Sequence, residues 1–521
     1  MTDHSVVVVG AGMGGLAAAI DLARAGCRVT VVEKGATPGG KMRQLHPGGG
    51  PGIDSGPTVF TMRWVFESLF ADAGASLSDY VTLGTADVLA RHGWTDGSRL
   101  DLFACMDRSI AAIGEFAGQA DAEGYRAFCA RSEAMYAVLR DSFISAQRPG
   151  LFDMAPRVGL AGLPALLGTA PHRTLWAELG RYFRDPRLRQ LFGRYATYTG
   201  SSPFAAPATL MLIAHVEKDG VWFVEGGMVN VARGMESLAR SLGVTFAYGE
   251  AVQAIVQTGG RASGVRLASG EVLKADSIVF NGDISALRGG LIEGNTSVGP
   301  ARVASGKRSL SAVTWSVAAQ TRGFPLSHHT VFFAEAYEDE FRQVFANQSI
   351  CERPTVYVCA QDRSGGRSPS GESERLLLLV NAPAIGDQVS FDPAQVEDVC
   401  RRAWAVLEGC GLSVEPVAEA TIATTPDDFE LLFPASGGAL YGRANHGLMG
   451  SFQRPGPESG LEGLYLAGGG VHPGPGIPMA TLSGRLAAMR VLEKASGVSS
   501  GWRLPQTALT TSDSGPACQT V

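Results

Sequence analysis

The chain has 521 residues, a net charge of −6 and 18% charged residues, below the roughly 25% usual for soluble domains. That length supports two or three domains around a large core, and an acidic balance without any long Lys/Arg block excludes nucleic acid as a partner, because phosphate contacts need concentrated basic surface. A mean hydropathy of +0.08 implies large buried or lipid-facing apolar area, yet no uninterrupted apolar run reaches the roughly 18 residues a bilayer-spanning helix needs.

The amino end is not a signal peptide, because five glycines interrupt its apolar residues. Residues 6–9 are a β-branched strand run that leads into Gly10-Ala11-Gly12-Met13-Gly14-Gly15 and then an apolar helix. A second apolar run, residues 29–32, stops at Glu33, 18 residues after Gly15 and near the expected spacing of about 20. Gly10 permits the tight turn. Gly12 lets backbone N–H groups approach a pyrophosphate at the positive helix end. Gly15 allows close helix–strand packing, and Glu33 can accept hydrogen bonds from ribose hydroxyls. Strand, glycine turn, helix, strand and acid together predict dinucleotide binding. FAD is expected over NAD, because Gly39-Gly40-Lys41 and Asp54-Ser55-Gly56-Pro57 follow. Paired glycines beside a cation suit a phosphate or a flavin edge, and equally an ordinary glycine-rich surface loop.

Residues 62–190 read as largely helical, with Phe66, Leu69 and Phe70, and later Met135, Val138 and Leu139, spaced for one helix face. Within them, residues 151–167 are leucine- and glycine-rich, broken by Pro156 and Pro164 and flanked by Arg157, His172 and Arg173. A segment dipping into a membrane surface has this composition, and so does a buried helical hairpin. A helix over 229–242 and a strand at 244–246 follow. Residues 251–276 form a β-meander with turns at Gly259-Gly260 and Ser269-Gly270, and 277–280 form a further strand. Residues 300–450 alternate strands with helices, 375–380 being the clearest buried strand. A last strand runs into Gly468-Gly469-Gly470, a helix follows over 480–494, and the Ser/Thr/Gly/Pro-rich tail reads as disordered.

Eight scattered cysteines without C-x-x-C spacing read as reduced and intracellular. Nine histidines show no metal spacing. The adjacent pair His328-His329 cannot share one face of a regular element, so no metal is expected.

Four stretches carry a resemblance. They are residues 6–33 with Gly39-Gly40-Lys41, then residues 200–204 with Gly226-Gly227-Met228, then residues 279–283, and last residues 463–468 with His472-Pro473-Gly474-Pro475-Gly476-Ile477-Pro478 and Ser483-Gly484. The chain resembles, over about residues 5–495, the phytoene-desaturase-type carotenoid desaturases, a branch of the FAD-dependent amine-oxidase-like superfamily. The resemblance implies an α/β fold: a Rossmann-like FAD-binding domain from residues 1–75, 215–290 and 455–495, and a discontinuous α+β substrate and membrane-contact domain from 76–214 and 291–454. Residues 496–521 stay a disordered tail. It places Lys41 at the FAD phosphates, Glu33 at the adenosine ribose, the Val252 backbone at the adenine, and Gly469, Gly470, Ile477 and Pro478 beside the flavin, with Lys34 also in the cofactor set. Met13, Gly14 and Gly40 complete the cofactor set. Two departures stand out: Gly469-Gly470-Val471 replaces the more usual Ala-x-Thr before His472, and Met479 stands where many relatives have Gly.

Residues 192–198, 220–227, 309–315 and 356–362 further resemble the 1-hydroxycarotenoid 3,4-desaturase branch. That resemblance implies an FAD-dependent oxidoreductase introducing a C3–C4 double bond into a 1-hydroxy- or 1-methoxy-carotenoid. Its alternatives are a phytoene desaturase acting on unsubstituted carotenes, a flavin amine oxidase, or a flavin-free prenyl-protein escort, against which the intact phosphate glycines argue. It also implies a lipophilic carotenoid substrate and a cytoplasmic protein peripheral on the inner membrane, and leaves the oligomeric state open. A C40 polyene must be held by shape and burial, with one or two polar partners for any terminal hydroxyl near the tunnel end. His472 is the first candidate base, its other role being to orient the loop, and Asp141 the second. Arg194, Tyr195 and Tyr198 form a polar aromatic group for substrate, with core packing as the other reading of the two tyrosines.

Overall fold

The β-branched run at the amino end becomes the strand Ser5–Val9, the centre of a parallel five-stranded sheet. A computed structural model describes residues 4–148, 172–294, 299–366, 369 and 373–497. In that sheet the strand order is Leu464–Leu466, Ser277–Phe280, Ser5–Val9, Arg28–Glu33, Thr245–Tyr248. Val7 sits opposite Ile278 on one side and Thr30 on the other. Val6, Val7 and Val8 are all buried, as expected of a parallel sheet covered on both faces. Three distant stretches of chain thus contribute neighbouring strands.

Glycines let the covering elements approach. A Cβ on Gly15 would lie 2.0 Å from the Gly10 carbonyl oxygen, and one on Gly484 would lie 1.9 Å from that of Gly14. The helices Met13–Arg24 and Ile477–Ser496 therefore cross backbone to backbone. Beside that crossing Arg485, 1% exposed, is paired through Nε to Asp21 at 2.9 Å, through Nη1 to the Ser68 hydroxyl at 3.0 Å, and through Nη2 to Asp72. The second of these helices begins at Ile477, three residues before the expected start, with Pro478 in its first turn.

The second large sheet has seven strands in the order Leu412–Thr424, Ser311–Gly323, Glu374–Ala382, Val356–Ala360, His329–Phe333, Val88–Trp94, Arg99–Phe103. Its last two strands correct the expectation of a largely helical 62–190. They form a hairpin across Thr95-Asp96-Gly97-Ser98, pinned by Arg91 Nη2 and Asp101 Oδ2 at 2.6 Å. Apolar alternation broken by paired charges reads poorly as either period, so the turn was the only usable signal. The meander is as expected, in strands Val252–Thr258, Arg261–Leu267 and Val272–Lys274. The helix Gln119–Leu139, ending in a wide π-type turn Arg140–Ile144, packs against the helix Leu212–Asp219. The segment 151–167 and the tail beyond 497 lie outside the described residues.

Among the described residues Cys27, Cys129, Cys351, Cys359, Cys400 and Cys410 are free.

Candidate active site

One cavity of about 1280 Å³ runs from the glycine turn to the seven-stranded sheet, larger than the roughly 300–1,000 Å³ that one drug-sized ligand fills. Its outer half is lined mainly by backbone. Gly10, Gly12, Met13 and Gly14 form one wall, Gly40 and Lys41 another, and Gly469, Gly470, Ile477 and Pro478 a third; Glu33, Lys34 and Val252 close the far end. Gly12 precedes its helix with no side-chain cap and no acid in the first turn, and Gly476 likewise precedes an uncapped helix. Two sets of first-turn N–H groups thus lack a side-chain acceptor at the cavity wall. Gly15 is behind this wall, where it serves packing alone.

Glu33 accepts the Ala11 N–H at Oε2, 2.7 Å, and the Gly35 N–H at Oε1, 2.8 Å, and each oxygen keeps a lone pair for a further donor. Lys34 Nζ donates to the Leu431 carbonyl at 3.1 Å. Lys41 Nζ donates to the carbonyls of Leu440 at 2.5 Å and Ala439 at 3.5 Å, so its ammonium is drawn toward the inner half and not toward the glycine turn. Burial pushes the Lys41 pKa down to about 8 despite the nearby Asp283 carboxylate. Arg454, 1% exposed, was not singled out from sequence. It ties the flavin-side glycine loop by donating to the carbonyls of Tyr441 and Gly469, each at 3.0 Å, and of Arg443 at 2.6 Å. Its desolvation lowers its pKa to about 10.

The inner half is made of side chains from scattered elements. Leu139, Phe143, Leu210, Ile213, Val216, Leu377 and Leu379 supply apolar wall, and Arg194, Tyr198, Glu217, His329, Tyr337 and Tyr357 supply the polar groups. Glu217 is the residue that sequence reasoning missed. It lies on a short helix whose pattern, His-Val-Glu-Lys-Asp, reads as solvated, yet it is 6% exposed. The Tyr195 hydroxyl donates to its Oε2 at 2.7 Å, and the Tyr198 hydroxyl donates to its Oε1. Tyr195 is absent from the cavity wall and reaches it only through Glu217, with its ring packed against Phe192 and Tyr198. Burial and the Glu217 charge hold both phenols well above the usual tyrosine range. Burial alone would lower the Arg194 pKa, and the Tyr198 and Glu217 charges more than offset it.

Both candidate bases fall elsewhere. His472 is 1% exposed and outside the cavity wall, with Nε2 at 2.9 Å from the Phe143 carbonyl and 3.0 Å from that of Ala146. Carbonyls only accept, so that nitrogen carries the proton and the ring fastens the glycine–proline loop to the end of the long helix. Asp141 is 51% exposed and paired with Arg140 at 2.9 Å, while its neighbours Leu139 and Phe143 face the cavity. The histidine pair also needs correction. His328 precedes the strand and escapes its alternation, so both rings and the Cys359 thiol have ligand atoms within 4.8 Å. Burial lowers both imidazoles and raises the thiol to about 12, and His329 Nδ1 lies 2.7 Å from the Tyr357 hydroxyl, so the cluster is a poor thiolate donor set.

The family model described as "Flavin containing amine oxidoreductase" matches residues 13–492. A hydroxyneurosporene desaturase of Rubrivivax gelatinosus is 52% identical, covering 93% of this chain and 92% of its own. Another from Cereibacter sphaeroides is 46% identical over 94% and 97%. Among solved structures, cyclohexylamine oxidase from Brevibacterium oxydans shares the fold at TM-score 0.56 and 16% identity, over 95% of this chain and 100% of that one. FAD fits the cavity: the glycine wall, the uncapped helix ends and the spare lone pairs of Glu33 match pyrophosphate and ribose. The chain belongs to the flavin-containing amine oxidoreductases and, within them, to the carotenoid desaturases, as an FAD-dependent enzyme.

Proposed function

We propose that the protein introduces a C3–C4 double bond into a 1-hydroxy- or 1-methoxy-carotenoid. The observation that carries this reading is the continuity of one cavity from the glycine wall to a largely apolar chamber that holds the Arg194–Tyr198–Glu217 group. The names of the two bacterial relatives support it. In this reading Gly12, Met13 and Gly14 hold the pyrophosphate, Glu33 the ribose and Val252 the adenine end, while Gly469, Gly470, Ile477 and Pro478 border the ring system. The dinucleotide half comprises residues 1–75, 215–290 and 455–495, and the substrate half the rest to 454. Bound FAD supplies the two-electron acceptor that takes one hydrogen with its bonding pair, and the other hydrogen leaves the adjacent carbon as a proton. The chain's own part is to exclude water with Leu210, Ile213, Val216 and Leu377, to hold the polyene by burial, and to orient its end group through the Arg194–Tyr198–Glu217 cluster. A buried guanidinium in that chamber repels a cationic amine, which favours the carotenoid reading over an amine oxidase.

No described helix is long and apolar enough to cross a membrane. Attachment to the cytoplasmic face of the inner membrane is part of this proposal, supported by exposed Leu448 and Met449 beside the cavity. Purified protein with FAD and lipid-dispersed hydroxyneurosporene is expected to lengthen the polyene, read as a red shift of its absorption. No shift with a quinone supplied, or peroxide formed from amines instead, overturns the reading.

A further inference from the structure

Arg194 is enclosed by protein, and what exposure it has is to the cavity. Its Nε has no hydrogen-bond partner among the described residues, and no carboxylate there lies within ion-pair distance. Its guanidinium lies 5.4 Å from the Tyr198 ring centroid, and the nearest anion, Glu217, is reached only through the Tyr198 hydroxyl. A buried charge left so is costly unless a ligand completes it. Arg485, more deeply buried, is held by two carboxylates and a hydroxyl, and Arg454 by three carbonyls although its Nε also lacks a partner.

The cluster's position matters as much as its charge. The Tyr441 ring packs against Gly200, two residues past Tyr198, where a Cβ would lie 2.5 Å from it, and the Tyr441 carbonyl shares the Arg454 guanidinium with Gly469. A Cβ on the next residue, Gly442, would lie 3.3 Å from the Gly470 Cα. The Arg194 cluster therefore adjoins the junction of the two halves and not a distant tunnel end. An oxygen on C1 of a linear carotenoid is separated from C3 by one carbon–oxygen and two carbon–carbon bonds, roughly 3–4 Å through space at about 1.5 Å per bond.

We infer that Arg194 donates to the oxygen on C1 of the substrate end group, and that Glu217, through Tyr198 and Tyr195, is the positioning residue that holds it there. This deepens the function proposed above and rests on it. A hydroxyl and a methoxyl oxygen both accept from a guanidinium, and an unsubstituted terminus accepts from nothing. Arg194 thus admits either oxygenated end and rejects the bare carotene, and the polyene enters end group first.

The test compares kcat/KM of the FAD holoenzyme for 1-hydroxyneurosporene, 1-methoxyneurosporene and neurosporene, in wild type and in Arg194→Met, Arg194→Lys and Glu217→Gln. Wild type is expected to prefer the two oxygenated substrates about 10- to 100-fold, the worth of a hydrogen bond to a charged group. Arg194→Met collapses that preference toward one, Arg194→Lys keeps part of it, and Glu217→Gln reduces it chiefly through KM. Flavin content of each variant reports folding, and the two milder variants carry the test if Arg194→Met does not fold. Equal loss on all three substrates, or a preference that survives Arg194→Met, overturns the inference while leaving the desaturase reading intact. A wild type that converts no carotenoid overturns both.

Discussion

In the outer half of the cavity much of the wall is backbone: Gly10, Gly12, Gly14, Gly40 and Gly469-Gly470 bring the main chain to the surface, and Asn281 packs where side chains on Gly12 and Gly14 would stand. In the inner half the wall is side chains, drawn from the long helix, the Leu212–Asp219 helix and the seven-stranded sheet. Charge is handled differently too. Arg485, beneath the outer half, has two aspartates in contact, whereas Arg194 has none. The difference teaches that the cofactor half offers its ligand backbone N–H groups and spare lone pairs, while the substrate half offers an unpaired side-chain charge.

Four measurements break or sharpen that contrast. Arg485→Met, which strands Asp72 and leaves Asp21 with Arg24 alone, is expected to cost about 3–5 kcal/mol of stability in urea titration. A loss no greater than that of Arg194→Met would erase the contrast. Gly15→Ala forces a methyl to 2.0 Å from a carbonyl oxygen and should cost ~3 kcal/mol, a factor of roughly 150 in retained flavin. Normal flavin content would show that the turn yields. Glu33→Ala should weaken FAD by about 1.5–3 kcal/mol in equilibrium dialysis. Glu33→Gln, still an acceptor, should lose less, and equal losses would assign the effect to the Ala11 and Gly35 amides instead. The smallest effect concerns pH. Lys41 has a folded pKa near 8 against an ordinary lysine value of 10.5, so between these values the unfolded chain binds more protons. Apoprotein stability should rise with pH across that window and should stay flatter in Lys41→Met; parallel curves would rule out a buried ammonium.

The same contrast explains what could be read from residue order. A glycine turn is legible because backbone conformation and close approach restrict which residue can stand there, and nearly every cofactor position named from sequence does line the cavity. Gly15 is the exception, and its packing role was anticipated. The side-chain half was less legible. Arg194 and Tyr198 were named and do line it. Tyr195 works one layer back, and Glu217 hid in a pattern that reads as solvated. His472 and Asp141 misled because nearness in sequence to a glycine loop or a helix end says nothing about which way a ring or a carboxylate turns.

The close crossing at Gly14 and Gly484 has a consequence for biogenesis. The first nucleotide-binding turn leaves the ribosome some 470 residues before the helix that must rest against it. A nascent chain therefore exposes an unsupported turn for most of its synthesis, in the slow regime set by long-range pairing. Flavin capture is then a post-translational event, and any message cut short before residue 484 yields a polypeptide that never turns yellow.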